Sequence, residues 1–315
     1  MNNSLVLQEA LSIPLVIEKF SQIDNNQYQE IANLISQKKI KYIVTVARGT
    51  SDCAALYSSY FFAKYLGLPS YSMPPSIITL EKSKFDFSEA LIIVISQSGK
   101  SSDLIECEKQ SQEMGATTLL ISNNENSPIV NFAHYFFNMF AGEERSVAAT
   151  KSFVQTLLIL KKLVFACEGR KQINDSIKHL SETLLHDANN QWNVDLVDNS
   201  INSGFILGRG VGFALSNEIS LKFKELCQEM IEPFSSAEVM HGPKSLIQDS
   251  FKLFTLSMND LSGLTVQKDS DEISKYTKLV YNISTTNKEN NNFFFPSNKI
   301  IEFDSIVLMS KFYPW

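Results

Sequence analysis

The chain has 315 residues, of which 44% are hydrophobic and 20% are charged, the proportions of an ordinary soluble globular protein. Its length allows two domains of roughly 150 residues each. A net charge of −6 argues against nucleic-acid binding, and no apolar run in the sequence is long enough to form a membrane-spanning helix.

The four cysteines are far apart and show neither a CxxC pair nor the Cys/His spacing of a zinc site. We therefore expect reduced thiols, no metal and no cofactor. The N-terminal residues lack the basic start and the continuous apolar core of a signal peptide. Together these features predict a cytoplasmic protein.

The N-terminal half alternates between helical and β-branched apolar patterns. Apolar residues recur at helical spacing over roughly the first forty positions. Strands are predicted at the short apolar runs Lys41–Ala47, Ala90–Ile95, Thr117–Ile121 and Tyr135–Met139. Helical patterns follow at Cys53–Leu66, Ser101–Met114 and Val147–Cys167.

The C-terminal half repeats this alternation after a polar, helical stretch at residues 168–200, which we interpret as a connector. Strands are predicted at Gly204–Leu207, Lys252–Ser257 and Lys278–Tyr281. A helix is predicted at Phe213–Met230, and the Asn-rich stretch Asn282–Asn298 is predicted to be a loop.

Strands that alternate with helices and are apolar throughout are typical of a parallel sheet covered on both faces. The similar turns VTVARGTS and FILGRGVG indicate an internal duplication, so the fold class is α/β with two sheets. We place N-terminal helices at 1–38, a first domain at 39–167, the connector at 168–200 and a second domain at 201–315.

A candidate phosphate site follows the strand at 90–95. Its hydroxyl and amide groups come from Ser96, Gln97, Ser98 and Ser101. Ligands bind at this edge of a parallel sheet, and the helix that follows offers free N–H groups to an anion. Gly99 permits a close backbone approach, and Thr50 and Ser51 occupy the equivalent place after the preceding strand. The alternative is that these hydroxyls only cap helices.

A second candidate site lies on the predicted helix of the second half. Glu218, Lys222 and Glu225 are spaced i, i+4 and i+7 and therefore share one helix face. His241 precedes a Gly-Pro turn signal, and the histidine side chain suits general acid–base work. A carboxylate, a lysine and a histidine are sufficient to open a sugar ring and to move a proton between C1 and C2. Otherwise the charged stripe is a solvated face and the histidine is structural.

Over residues 5–310 the sequence resembles the tandem sugar-isomerase (SIS) domain family. Five segments carry this resemblance, in the order ARGTS, ISQSGKSSD, GEERSVAATKSF, NEISLKFKE and AEVMHGP. That family includes the isomerase half of glucosamine-6-phosphate synthase and the SIS-type glucosamine-6-phosphate deaminases. The stretch Glu144–Phe153 is most similar to the deaminases. The resemblance implies two tandem SIS domains, each a doubly wound, flavodoxin-like parallel sheet flanked by helices.

The same resemblance implies a deaminase/isomerase that converts glucosamine 6-phosphate to fructose 6-phosphate and ammonia. By position, the resemblance assigns phosphate binding to six residues, namely Thr50, Ser51, Ser96, Gln97, Ser98 and Ser101. It places Val147 and Ala149 against the sugar. The alternatives are a deaminase or isomerase of galactosamine 6-phosphate or a fructosamine phosphate, and a non-catalytic sugar-phosphate-binding regulator.

The resemblance also implies the catalytic roles. Glu225 becomes the base that moves the proton between C1 and C2, Lys222 its helper near the C2 nitrogen or oxygen, and Glu218 the support of Lys222. His241 becomes the ring-opening acid–base, which in this family reaches in from the neighbouring subunit. A homodimer with shared active sites is therefore implied.

Three features depart from the family pattern. There is no N-terminal cysteine nucleophile of a glutaminase domain, so we expect no ammonia transfer from glutamine. Family members carry a C-terminal tail resembling DxPxxLxKVT, whose lysine closes over the sugar. This sequence, which ends at Trp315, has no counterpart of that tail, so we expect a shortened form whose activity is in question. The second domain has Ser257-Met258-Asn259 where the first has Ser96-Gln97-Ser98, so we expect one phosphate site per chain.

Overall fold

The computed structural model describes residues 4–188, 190–193, 195, 197–198, 203–285 and 292–315. The chain folds into two compact units. The N-terminal unit comprises Ser12–Arg145 and Ala149–Glu182. The C-terminal unit comprises Ser146–Ala148, Thr183–Trp315 and the start of the chain through Leu11.

The described residues form ten strands. In chain order they are β1 (Tyr42–Val46), β2 (Ser70–Ser72), β3 (Ala90–Ser96), β4 (Thr117–Ser122), β5 (Tyr135–Asn138), β6 (Ser203–Gly208), β7 (Met230–Ser235), β8 (Lys252–Ser257), β9 (Val280–Ser284) and β10 (Asn292–Phe294). The first five belong to the N-terminal unit and the last five to the C-terminal unit.

The described α-helices fill most of the sequence between these strands. In chain order they are α1 (Leu5–Leu11), α2 (Ile13–Ser21), α3 (Gln27–Ser36), α4 (Thr50–Leu66), α5 (Pro75–Thr79), α6 (Ser102–Glu113), α7 (Lys151–Cys167), α8 (Ile173–Asp187), α9 (Val211–Lys222), α10 (Ser236–Val239), α11 (Leu261–Ile273) and α12 (Asp304–Phe312). No described helix is both long and apolar enough to cross a membrane.

The sheet of the N-terminal unit is entirely parallel, with the strand order β2-β1-β3-β4-β5. All seven residues of β3 are buried, because helices cover both faces of a parallel sheet. Val46 of β1 pairs with Val94 of β3, so the turns that follow the two strands lie side by side. The strand order reverses between β1 and β3, where ligands bind in open parallel sheets.

The sheet of the C-terminal unit is also parallel, with the order β10-β9-β8-β6-β7. Read in the reverse direction, from β7 to β10, this strand order is the same as in the N-terminal unit. β6 and β8 take the places of β1 and β3. The repeated topology agrees with the duplication that the two glycine turns indicate.

Two predicted helix boundaries are wrong. The helix predicted at 147–167 begins only at Lys151, because a carboxylate described below binds the first-turn N–H groups there. The helix predicted at 213–230 ends at Lys222 and continues as a π-helical turn over Phe223–Cys227. Gln228 then adopts a left-handed conformation (φ 58°), which turns the chain into β7.

The Asn-rich stretch predicted as a loop contains strand structure. β9 extends through Ser284, and β10 pairs with it in parallel over residues 292–294. Residues 286–291 of this stretch lie outside the described residues. Other observed elements that were not predicted from the sequence are β2, β7, α5, α10, α11 and α12.

Candidate functional site

The loop that follows β3 is held in a tight turn by its own serine hydroxyls. The Ser96 hydroxyl accepts a hydrogen bond from the Gly99 N–H at 3.2 Å, and the Ser98 hydroxyl accepts one from the Lys100 N–H at 3.3 Å. Gly99 is left-handed (φ 64°), and a Cβ there would lie 2.2 Å from the Ser127 hydroxyl. The loop therefore requires glycine at this position.

α6 begins at Ser102, directly after Ser101, so its N-terminus follows this turn. First-turn N–H groups of a helix lack intrahelical acceptors and carry a partial positive charge. Gln97 and Ser98 are half-buried beside this end, whereas Ser96 is buried. The arrangement suits a small oxyanion such as a phosphate.

The turn after β1 lies next to this loop. Thr50 and Ser51 begin α4, and both are half-buried. Arg48, from the same turn, forms an ion pair with Asp103 in the first turn of α6. The ion pair links the two turns and offsets the negative charge that Asp103 would otherwise present to an anion. The structure thus brings together both predicted sets of phosphate residues, and Arg48 engages Asp103.

Asparagines that were not among the predicted site residues support the loop after β3 from the end of β4. The Asn124 side-chain amide donates to the Ser98 carbonyl at 3.3 Å, and the Asn123 N–H donates to the Gln97 carbonyl at 3.1 Å. The Ser127 hydroxyl donates to the Asn124 carbonyl at 2.7 Å. The only sequence signal for these residues was the turn-forming run NNENSP after a predicted strand.

Glu144 closes the N-terminus of α7. One carboxylate oxygen accepts the N–H groups of Thr150 at 2.8 Å and Lys151 at 2.7 Å, and the other accepts the Ser152 hydroxyl at 2.5 Å. These three residues are buried. A carboxylate at this end of a helix is favoured by the helix dipole.

The two residues predicted to contact the sugar lie in the segment between Glu144 and α7. Val147 is 95% exposed, which is unusual for a β-branched apolar side chain, and Ala149 is half-buried. Their contact with a sugar remains a prediction.

Three of the four predicted acid–base residues form a cluster in the C-terminal unit. The Lys222 ammonium lies 3.2 Å from a Glu218 carboxylate oxygen and 2.8 Å from a Glu225 carboxylate oxygen. Side-chain exposure is 0% for Glu218, 2% for Lys222 and 28% for Glu225. Glu225 is therefore the most exposed member of this cluster.

The cluster has an unusual electrostatic balance. Burial raises the pKa of Glu218 to about 7, while the Lys222 charge and a hydrogen bond from Tyr313 act in the opposite direction. Glu225 lies on the π-helical turn after α9, and such turns often occur at functional sites. Tyr313 was missed because nothing in the sequence links it to a residue 95 positions earlier.

His241 lies just after α10 and its side chain is exposed. Its N–H donates to the Glu238 carbonyl at 2.9 Å, which closes the turn predicted before Gly242-Pro243. An exposed imidazole at a loop is accessible to a second molecule. The ring-opening role of His241 remains a prediction.

A cavity of about 380 Å³ lies beside this cluster within the C-terminal unit. Lys222 and Glu229 contribute its charged groups, and its walls are mainly apolar, from Leu7, Phe223 and Trp315. Among the described residues, no group of three or more His, Cys, Asp or Glu side chains is arranged to hold a metal ion.

The second sheet lacks the hydroxyl-rich turn in the corresponding place. After β8, Asp260 precedes α11, and its carboxylate accepts the Gly263 N–H at 2.9 Å. A carboxylate therefore occupies the helix end that an anion would use. This supports the expectation of one phosphate site per chain, in the N-terminal unit.

Comparison with known proteins identifies this architecture. Residues 34–166 match the SIS domain. The isomerizing glutamine–fructose-6-phosphate aminotransferase of Campylobacter jejuni is 33% identical over 236 residues, which cover 70% of this chain and 38% of that enzyme. The chain spans less than half of the length of such curated relatives, for example 42% in Bartonella quintana and 44% in Fusobacterium nucleatum.

Solved structures share the whole fold. A protein from Silicibacter pomeroyi, assigned as a phosphosugar isomerase, superposes with a TM-score of 0.89 at 28% identity, covering 99% of this chain and 95% of that chain. The C-terminal domain of glucosamine-fructose-6-phosphate aminotransferase from Francisella tularensis gives 0.81 at 22% identity, with coverages of 99% and 95%. Glucosamine-6-phosphate deaminase from Thermotoga maritima gives 0.76 at 20% identity, with coverages of 98% and 93%.

These findings place the chain among the parallel α/β proteins that contain SIS domains. The protein belongs to the SIS-domain family, as the five sequence motifs predict.

Proposed function

We propose that the protein is an amino-sugar-phosphate deaminase/isomerase that converts glucosamine 6-phosphate and water to fructose 6-phosphate and ammonia. The observation that carries this proposal is the buried lysine between two carboxylates, of which one is partly exposed and the other is not. In such a cluster the more exposed carboxylate can act as a base, while the other holds the lysine in place.

The phosphate of the substrate binds at the turns after β1 and β3. Thr50, Ser51, Ser96, Gln97, Ser98 and Ser101 supply its hydrogen bonds, and α6 adds the positive end of its dipole. Val147 and Ala149 contact the sugar. Binding energy from the phosphate, which does not react, holds the reacting carbons in place.

The reaction opens the ring, moves one proton from C2 to C1 and releases one molecule of ammonia. His241 protonates the ring oxygen and takes the proton of the C1 hydroxyl, which opens the ring to the aldehyde. Glu225 removes the C2 proton, giving an enolamine, and returns it to C1, giving a C2 ketimine. Water adds to the ketimine, and ammonia leaves. Lys222 stabilises charge at C1 and C2 and donates to the leaving nitrogen, and Glu218 holds Lys222 in place.

Phosphosugar isomerisation without deamination is the second candidate. It is favoured by the assignment of the 28% identical Silicibacter pomeroyi protein. In that reaction the same base moves a proton between C1 and C2, and an oxygen takes the place of the nitrogen at C2. The substrate is then an aldose or ketose 6-phosphate.

A substrate panel separates the two functions. Purified protein is supplied with glucosamine 6-phosphate, galactosamine 6-phosphate or glucose 6-phosphate, while ammonia and the ketose phosphate are measured. We expect both products from glucosamine 6-phosphate in equal amounts. Ketose from glucose 6-phosphate without ammonia from either amino sugar supports the isomerase, and binding without turnover supports a sugar-phosphate sensor.

Two substitutions test the assigned roles. Glu225→Gln should abolish turnover and leave sugar-phosphate affinity within about twofold, because the amide cannot accept the C2 proton. Lys224→Gln is the matched control, since this neighbour is 40% exposed and pairs with Glu232. Ser98→Ala should raise KM with little change in kcat. Full turnover in Glu225→Gln removes Glu225 as the base.

The homodimer with shared sites has its own test. Glu225→Gln and His241→Ala are each inactive alone. If His241 acts on the neighbouring chain's substrate, a mixed dimer contains one complete site, and an equal mixture regains roughly a quarter of wild-type activity. No recovery after subunit exchange shows that His241 serves its own chain or no site.

A further inference from the structure

The hydroxyl of Tyr313 lies directly behind the acid–base cluster. It donates a hydrogen bond to a Glu218 carboxylate oxygen at 2.9 Å. Tyr313 follows α12 and is only 7% exposed, and Glu218 on α9 is fully buried. Contact between α9 and α12 thus includes a buried polar link between distant parts of the sequence.

This hydrogen bond continues into the cluster. The same Glu218 oxygen lies 3.2 Å from the Lys222 ammonium, which in turn lies 2.8 Å from the partly exposed Glu225. The other Glu218 oxygen has no hydrogen-bond partner among the described residues. One oxygen therefore receives both donors, and the orientation of the carboxylate depends on Tyr313 as well as on Lys222.

The charged groups on neighbouring elements engage other partners. Lys252 of β8 pairs with Glu229, and Glu232 of β7 pairs with Lys224. On α12, Lys311 pairs with Asp187, and the Asp304 carboxylate accepts the Ser297 hydroxyl. The groups that face Glu218 are thus Lys222 and Glu225 from its own helical segment and Tyr313 from the end of the chain.

A donated hydrogen bond favours the charged form of a carboxylate. Burial has the opposite effect and raises the pKa of Glu218 to about 7. Without the phenol hydroxyl, only the ammonium would stabilise the buried charge, and the carboxyl would remain protonated to a higher pH. A neutral Glu218 no longer holds Lys222 by charge attraction.

We propose that Tyr313 is a positioning residue of the acid–base cluster: its hydroxyl keeps Glu218 ionised and oriented toward Lys222, and thereby fixes the lysine that faces the substrate. This inference rests on the proposed function. It adds to that function a residue from the end of α12 that does not itself touch the substrate.

Tyr313→Phe tests the inference, because it removes the hydroxyl and keeps the ring. We expect kcat to fall about tenfold with KM changed less than twofold. The ascending limb of the pH–rate profile should move upward by about one pH unit or more. Tyr276→Phe is the matched control, since Tyr276 is 45% exposed and should leave both quantities unchanged. In a Glu218→Gln background, Tyr313→Phe should have no further effect on kcat.

A measurement without substrate separates this inference from the proposed function. Carbon-13 NMR of labelled glutamate side chains follows the titration of Glu218, which Glu218→Gln identifies in the spectrum. The Glu218 midpoint should rise in Tyr313→Phe and stay constant in Tyr276→Phe. If no sugar phosphate turns over but this midpoint rises, the proposed function is wrong and the link between Tyr313 and Glu218 stands. An unchanged midpoint in folded Tyr313→Phe overturns the inference.

Discussion

Replacing Glu144 with alanine should destabilise the N-terminal unit by about 3–4 kcal/mol. The substitution removes the acceptor of two backbone N–H groups at 2.7 and 2.8 Å and of a serine hydroxyl at 2.5 Å. Each hydrogen bond to a charged acceptor is worth about 1.5–3 kcal/mol, and losses at one site are not additive. Because Glu144 is half-buried, water replaces part of the lost bonding.

Urea unfolding measures this loss. With an m-value of about 3 kcal/mol/M for a unit of this size, the midpoint should fall by about 1 M. Glu144→Gln keeps one acceptor oxygen and should lose roughly half as much. Glu143→Ala is the matched control, because its side chain is 70% exposed and pairs only on the surface with Arg145. Its effect should stay within about 0.5 kcal/mol. Equal midpoints for the Glu144→Ala and Glu143→Ala proteins would refute the reasoning.

Three further predictions concern stability. Burial raises the pKa of Glu108 from 4.5 to about 8. Between these values the unfolded chain is ionised and the folded chain is protonated, so stability falls as pH rises by about 1.4 kcal/mol per unit. Urea titrations should therefore show that, from pH 6 to pH 8, the stability of Glu108→Gln rises by about 2 kcal/mol relative to that of the wild type. A stability difference between the two proteins that does not change with pH would contradict this prediction. Gly99→Ala, whose Cβ would lie 2.2 Å from a serine hydroxyl, should cost about 3 kcal/mol. Gly67→Ala should cost only about 1 kcal/mol, because Gly67 has the same left-handed φ of 64° and no neighbour within 4 Å. Equal melting temperatures of the two variants would exclude the steric argument. Lys252→Met leaves the buried Glu229 carboxylate without its ion-pair partner and should lower the free energy of unfolding by about 3–5 kcal/mol. The control Lys275→Met removes an exposed ion pair and should change it by less than about 0.5 kcal/mol. Similar losses in both variants would show that burial of the ion pair does not determine its contribution.

The sequence predicts best those elements whose pattern is set by burial. The runs that became β3, β4 and β8 are mainly apolar and buried over almost their whole length, since both faces of each strand are covered. The edge strands β2 and β7 escaped prediction for a physical reason. β2 has only three residues, and β7 contains Pro233, which is tolerated at an edge because no neighbour there needs its N–H.

The predicted helix boundaries are wrong where an interaction outside the helix determines them. Residues 147–150 have a helical composition, yet the Glu144 carboxylate fixes the start of α7 at Lys151. The left-handed Gln228 and the π-helical turn before it cannot be inferred from the periodicity of the preceding residues. In both cases local propensity yields to a single tertiary or backbone constraint.

The candidate site divides in the same way. Helical spacing alone predicts that Glu218, Lys222 and Glu225 meet, and they do so even though the last of them lies on the π-helical turn. Spacing says nothing about contacts across the fold, so Tyr313 could not be found. The ion pair between Arg48 and Asp103 likewise depends on the pairing of β1 with β3.

The repeated strand order has a consequence for how the two units divide their tasks. One copy of the fold has hydroxyl-rich turns at the reversal of its strand order, while the other copy has a carboxylate there and carries Glu218 and Lys222 on α9. Under the proposed function, the groups that bind the anion and the groups that move the proton belong to different copies of the fold. Substitutions in one copy can then change proton transfer without altering the residues proposed to bind the phosphate in the other.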